Sequence, residues 1–335
     1  YLKSLSYLYF TYKFASSFWP ENAVDHPRKR SLQTRSSLEA QCLSDLYSSS
    51  RPLQLMKLLL PTSSPLQPVR LLHHASLARP QTRCNCVMSL EADYWDLRFK
   101  GVERLYGGSG SLERLRASHV CVVGLGGVGS WTVEALVRSG VGSLTLMDLD
   151  EVCISNTNRQ LHALEHTVGR TKASVLAERA ALINPECRVN VREEWLTVPG
   201  ALSTIRGELA ERSDAQGGFA VVDAIDGVNE KAALIDACCA LNLHIVTVGA
   251  AGGRADPSLL RIADLTLATN DPLISRTRQA LRKTHGFPAG GPTRPGLAQA
   301  WGVPTVFSVE KVETGPKGAG SCLLYTSDAA DDMAS

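Results

Sequence analysis

From Trp95 to about Gly320 the chain switches between two hydrophobic periods. Short apolar runs of about five residues recur at His119–Val123, Ser143–Met147, Cys187–Val191, Phe219–Asp223 and His244–Val248. Runs of this length, rich in valine and other β-branched residues, predict strands buried on both faces. Between them the apolar positions follow a 3.6-residue period, predicting helices over Ser130–Ser139, Thr171–Ile183, about 200–211 and Val228–Leu241. In Thr171–Ile183 the residues Ala173, Leu176, Ala177, Ala180 and Ile183 fall on one face, the side expected to meet the core. Asn184-Pro185 ends that helix, because proline cannot continue it and disfavours helix in the residue before it. Strand and helix alternating at this spacing imply right-handed crossovers and a doubly wound, mostly parallel α/β sheet, Rossmann-like, with helices on both faces. Ligands in such sheets bind beyond the C-terminal ends of the strands. After Gly249 the pattern loosens to a helix over Leu273–Thr284 and a loop around Ala289–Gly296.

The two ends depart from this pattern. Residues 1–87 carry no sustained period, and residues 51–90 hold Arg51, Lys57, Arg70, Arg79 and Arg83 with no acid. A basic, serine-containing, acid-free stretch is the composition of an organellar transit peptide. Met56 is then the expected start, with upstream translated sequence before it; the alternative is a disordered tail with Met88 as the start. The first reading expects a chloroplast or mitochondrion, the second the cytoplasm. The last fourteen residues, from Cys322, resemble a translated sequencing adapter. The expected division is therefore a leader over 1–87, an α/β domain over 88–320 that is truncated at its C-terminus, and a foreign tail over 321–335. Net charge is +2 and the hydrophobic share 44%, so composition alone selects no partner. Nine cysteines show no framework spacing and no Cys-x-x-Cys pair, which favours a reducing compartment and disfavours structural zinc. The apolar runs are too short to cross a bilayer, so no membrane insertion is expected.

Candidate chemistry gathers at the predicted strand ends. The first strand opens into Gly124-Leu-Gly126-Gly127-Val-Gly129 and then a helix. Glycines there let backbone approach a phosphate, and the helix start supplies N–H donors and a positive dipole end. The spacing alone fits any dinucleotide binder. Asp148 follows the second strand, where an acid holds a ribose or caps a turn; Asp150 and Glu151 stand beside it. Asn156-Thr-Asn158-Arg159-Gln160 comes next, and a guanidinium placed there can grip phosphate oxygens bidentately. Lys172, near the next helix start, either meets the same phosphates or is a solvated lysine. Asp223 and Asp226 close the fourth strand, where a magnesium ligand or an N-cap would stand. Arg276, Arg278, Arg282 and Lys283 would form a basic helix surface, either for the phosphates of a nucleic acid or merely solvated.

These motifs carry a resemblance. Arg98-Phe…Arg104-Leu-Tyr-Gly, the glycine loop through Trp131, Val152–Ala163, Ile183-Asn-Pro-Glu-Cys-Arg188, Asp223-Ala-Ile-Asp226 and Ala250-Ala-Gly-Gly253 occur in order over about two thirds of the chain. This segment resembles the ThiF/MoeB/HesA superfamily of adenylating enzymes, relatives of ubiquitin-activating enzymes. Within it the chain is most similar to the tRNA threonylcarbamoyladenosine dehydratases. The resemblance implies a ThiF-type fold, ATP with Mg2+, a homodimer, and cyclisation of threonylcarbamoyladenosine in tRNA through an acyl adenylate. By the same carry-over, Gly124, Gly126, Gly127 and Gly129 form the nucleotide loop. Asp148, Asp150 and Asn158 line the nucleotide, Arg159 and Lys172 neutralise the triphosphate, and Asp226 holds the metal. Arg104 matches an arginine lent to the partner subunit's ATP. The alternative within the fold is an activator of a ubiquitin-like or sulfur-carrier protein, with a sulfur-transfer partner of unknown identity. Thr305 stands where similar proteins carry a cysteine, which removes a thioester step at that position but leaves ring closure intact. Gly227 replaces a polar residue after Asp226. Two rivals are a non-catalytic adaptor, against which intact Arg159, Lys172 and Asp226 argue, and an NAD-linked oxidoreductase, in which Asn158-Arg159-Gln160 has no role.

Overall fold

The computed structural model describes residues 94–106, 110–211, 217–289 and 300–311. The expected leader, the expected foreign tail and most of the loop expected at 289–296 lie outside them. Two helices come first, α1 (Tyr94–Tyr106) and α2 (Ser111–Ala117). Alternation then follows: β1 (His119–Val123), α3 (Gly129–Arg138), β2 (Ser143–Met147), α4 (Lys172–Ile183), β3 (Arg188–Arg192), α5 (Ala201–Ala210), β4 (Phe219–Asp223), α6 (Val228–Ala240) and β5 (His244–Val248). The last elements are β6 (Leu260–Asp264), α7 (Pro272–Thr284) and β7 (Pro304–Ser308). The seven strands run β3-β2-β1-β4-β5-β7-β6. All pairs are parallel except β6 with β7, which are antiparallel. The doubly wound α/β expectation therefore holds, with the chain reversing direction across the sheet beside β1.

The strand period of two sorts side chains into two cores. Val120 and Val122 pack with Leu144, Leu146, Ala220 and Val222 against Val133, Leu136 and Val137 of α3 and Ala173, Leu176 and Ala180 of α4. Cys121 and Val123 face the other way, with Phe219, Val221 and Ile245, onto α5, α6 and α7 through Ile205, Leu234, Ile274 and Leu281. Each fully buried Leu, Ile or Val contributes about 1.5–3 kcal/mol, so these two layers supply most of the driving force. A satellite cluster of Trp95, Phe99 and Leu112 joins α1 to α2, with Arg116 stacked 5.0 Å over the Trp95 ring.

Three differences from the sequence reading have local causes. β3 begins at Arg188 rather than Cys187, because the Cys187 N–H closes a turn onto the Asn184 carbonyl before the ladder with β2 starts. The helices begin or end within a residue of expectation, where caps rather than periodicity decide. β6 and β7 were not legible: β6 is a half-exposed edge strand with no sustained apolar run, and β7 meets β5 over only two residue pairs. No helix among the described residues is long and apolar enough to cross a membrane.

Candidate nucleotide site

The glycine loop sits at the C-terminal end of β1, in the middle of the sheet. Gly124 adopts φ +86°, and a Cβ there would lie 2.8 Å from the Ala224 carbonyl oxygen. A Cβ on Gly129 would lie 1.8 Å from the Gly124 oxygen. These two glycines close the turn against β4 and α3. Gly126 differs: the nearest atom to its Cβ would be Nε2 of Gln160, at 3.9 Å. The fold tolerates a methyl group there, so glycine keeps open a cradle that suits a phosphate on backbone N–H groups. Val128 at the N-cap of α3 makes no side-chain cap, which leaves the helix start available to an anion.

Around the loop, side chains are tied down from several elements. Asp148, just past β2, is buried; its Oδ2 accepts the Leu125 N–H at 2.6 Å and its Oδ1 the Asp150 N–H at 2.8 Å. Burial raises its pKa above the usual carboxylate value, opposed by the charge of Lys172 and the two N–H donors. Lys172, the first residue of α4, is 1% exposed, which rules out the solvated-lysine alternative. Its Nζ donates to Asp150 Oδ2 at 2.6 Å, and its backbone N–H donates to the Asp150 carbonyl. The Asp148–Asp150 turn and the start of α4 thus form one braced unit.

Arg159 lies in the turn after a short 3-10 helix (Ile154–Asn156). Two bonds pin that turn to α3: Trp131 Nε1 donates to the Arg159 carbonyl at 3.1 Å, and the Leu161 N–H donates to Ser130 Oγ at 3.2 Å. The stem of Arg159 consequently lies over the loop, its Cγ 3.4 Å from where a Gly127 Cβ would stand. Its Nη1 donates to the Ser155 carbonyl and to Oδ1 of the exposed Asn158. Gly124, Gly126, Gly127, Gly129, Asp148, Asp150, Asn158, Arg159 and Lys172 are therefore brought together.

The two acids of β4 part company. Asp223 is fully buried, its Oδ2 accepting Lys231 Nζ at 2.8 Å and Thr247 Oγ1 at 2.5 Å, its Oδ1 the Ile225 N–H. That carboxylate is committed to the fold. Asp226 is exposed at the rim, and Gly227, not Asp226, is the N-cap of α6, with no side-chain cap bond. A single exposed carboxylate suits a cation that draws its other ligands from water and phosphate. Arg104 is exposed in the last turn of α1, away from the buried face formed by Trp95 and Phe99. The basic surface expected on α7 is corrected: Arg278 is buried, and its Nη1 donates to the carbonyls of Leu265 and Ala268 at 2.9 and 2.7 Å. It holds the chain entering α7 instead of facing solvent.

Two side chains at this site were given no role from the sequence. Gln160 is buried beside Gly126 with neither amide atom hydrogen-bonded, and His162 is 1% exposed with both ring nitrogens unpartnered. Burial, and then the charge of Lys172, push the His162 pKa down to about 4, so the ring is neutral near pH 7. Both belong to the run that carries Arg159, and only their burial distinguishes them.

Glycine loop, buried acid, arginine and lysine together can hold a nucleotide and offset phosphate charge next to the strand ends. Comparison with known proteins agrees. The tRNA threonylcarbamoyladenosine dehydratase of Haemophilus influenzae is 45% identical over 195 residues, covering 58% of this chain and 71% of that protein. The crystal structure of the E. coli tRNA N6-threonylcarbamoyladenosine dehydratase in complex with ATP is 42% identical, with a TM-score of 0.60, over 67% of this chain and 86% of that one. The E. coli sulfur carrier protein ThiS adenylyltransferase is 31% identical over 140 residues, 42% of this chain and 52% of that protein. The family model described as ThiF family matches residues 102–279, more than half of the sequence and all of the braced site, and the chain belongs to the ThiF family.

Proposed function

We propose that this protein is an ATP-dependent tRNA threonylcarbamoyladenosine dehydratase. The observation that carries the reading is a glycine loop covered by Arg159 and flanked by Lys172, in a chain 42–45% identical to proteins of that name. The substrate's carboxylate oxygen attacks the α-phosphorus of ATP and pyrophosphate leaves. The ureido group of the same substrate then attacks the activated carbonyl, the ring closes and AMP departs with the carboxylate oxygen, for net loss of water.

In this reading the chain positions groups and stabilises charge. Gly126 and Gly127 let backbone meet the phosphates, and Asp148 orients the ribose. Arg159 and Lys172 offset charge as pyrophosphate leaves, with Asp150 and Asn158 holding those two cations in place. Mg2+, when bound at Asp226, would neutralise phosphate oxygens. Arg104 would act in a homodimer, reaching the other subunit's nucleotide. The protein-activating alternative would need a nucleophile near Thr305. That residue is fully buried in β7, its hydroxyl donating to the Val303 carbonyl.

The test is incubation of the full chain with ATP and tRNA carrying threonylcarbamoyladenosine, followed by nucleoside mass spectrometry. The expected product is lighter by one water, formed with AMP. ATP turnover with no change in the nucleoside would exclude the reading.

A further inference from the structure

An open cleft of about 570 Å³ lies on the same rim of the sheet, removed from the glycine loop. Its walls are the turn Ala268–Asp271, the first turn of α7 with Ser275, the buried Arg278, and Lys311 beyond β7. The cleft is anchored to the strand ends. Asp271 Oδ2 accepts the Ala250 N–H just past β5, and Asn270 Nδ2 donates to the Val309 carbonyl just past β7. Between β1 and β7 lie three strand spacings, or roughly 14 Å.

Among the described lining residues two cations, Arg278 and Lys311, stand against one carboxylate, a net charge of +1. Asp271 is the only carboxylate among the described lining residues, and its two oxygens already accept the N–H groups of Ile274 and Ala250. The nearby Glu310 likewise accepts the N–H groups of Ala255 and Asp256. Arg278 and the exposed Lys311 contribute two positive charges. Behind the wall, Arg254 donates its Nη2 to the Asn270 carbonyl at 2.6 Å, while its Nε and Nη1 are buried with no acceptor. Buried guanidinium donors without partners call for an anion or an ordered water. The cleft volume falls within the usual range of about 300–1,000 Å³ for small-ligand sites, larger than one phosphate requires.

We propose that this cleft is a subsite for the RNA substrate, taking a phosphodiester and its nucleotide beside the modified adenosine. The proposal rests on the tRNA reading above. A nucleotide seated there leaves the space between β1 and β7 for the arm whose carboxylate must reach the α-phosphate. Its phosphate meets Lys311, with Arg278 and Arg254 setting the potential from behind, and the Ser275 hydroxyl offers a neutral donor.

Lys311→Gln and Lys311→Arg test it in the full chain. Binding of threonylcarbamoyladenosine-containing tRNA is followed by fluorescence anisotropy across about 50–200 mM salt, where phosphate contacts register. Affinities for ATP and for inorganic pyrophosphate are measured on the same proteins. Each phosphate contact contributes a salt slope of about 0.9, so Lys311→Gln should bind tRNA about eightfold more weakly near 0.1 M salt, with the slope reduced by about one. Lys311→Arg should keep both, and the ATP and pyrophosphate affinities should stay within about twofold of the unaltered protein, since the glycine loop lies elsewhere. Unchanged tRNA affinity and slope in Lys311→Gln would overturn the subsite while leaving the tRNA reading standing. Weakened ATP or pyrophosphate binding, alone or alongside tRNA, would assign the cleft to the nucleotide and overturn it too. An unaltered protein that binds no such tRNA removes both.

Discussion

Gly126 and Gly129 are three residues apart in one loop, and the structure separates what each is for. An alanine at 129 would place its Cβ 1.8 Å from the Gly124 oxygen, and Gly124 is itself held at φ +86° against the Ala224 carbonyl. Backbone must move at the centre of the sheet, which costs more than ordinary overpacking, about 3 kcal/mol or above. In a domain of this size that lowers Tm by roughly 6–12 °C. An alanine at 126 meets nothing nearer than Gln160 Nε2 at 3.9 Å. Its folding stability should change by less than about 1 kcal/mol, and reduced freedom of the unfolded chain pushes in the stabilising direction. The methyl group would instead fill the cradle beside the backbone N–H groups. Loss of one charge-assisted hydrogen bond, about 1.5–3 kcal/mol, weakens ATP binding roughly 10- to 160-fold. Thermal unfolding by circular dichroism and ATP titration by calorimetry measure both quantities on each variant. Wild-type ATP affinity in Gly126→Ala, or wild-type Tm in Gly129→Ala, would refute the division of roles.

Arg159→Ala should lower AMP formation about 100- to 1,000-fold, as removal of a transition-state donor does, with little change in Tm because its guanidinium bonds Ser155 and Asn158 of its own turn; near-normal AMP formation would remove the assignment. Lys172→Ala should lose activity and also stability, about 3 kcal/mol by urea unfolding, because Asp150 is left without its buried partner; full stability would show that the pair is not needed for the fold. His162 predicts an acid limb. Its pKa falls from 6.5 to about 4 on folding, so the unfolded chain binds the proton more tightly between those values. That contribution to stability, about 3 kcal/mol, is complete above about pH 6.5 and lost as pH falls to 4. Urea unfolding of His162→Gln against the unaltered protein between pH 7 and 4 should show a flatter dependence, and parallel curves would count against it.

Much of the architecture was legible because parallel strands covered on both faces must be apolar along their whole length. β1, β2, β4 and β5 match the expected runs residue for residue. The site motif was legible for a similar reason: a turn that brings backbone to a phosphate needs glycine, and an arginine held beside it needs a short polar turn. Residue type and spacing alone could not say which polar groups serve the ligand and which serve the fold. Asp223 and Asp226 look alike in sequence, yet Lys231 and Thr247 arrive from α6 and β5 to enclose the first and leave the second at the rim. Arg278 reads as one of four basic residues on a helix until the carbonyls of Leu265 and Ala268 are seen to close around it. Lys172 likewise becomes a buried cation only when α4 docks on the Asp150 turn. Local periodicity sets which segments form strand and helix, since that choice depends on near neighbours. Burial of a charge depends on groups from distant segments meeting it with the right atoms, and only the packed chain brings them together.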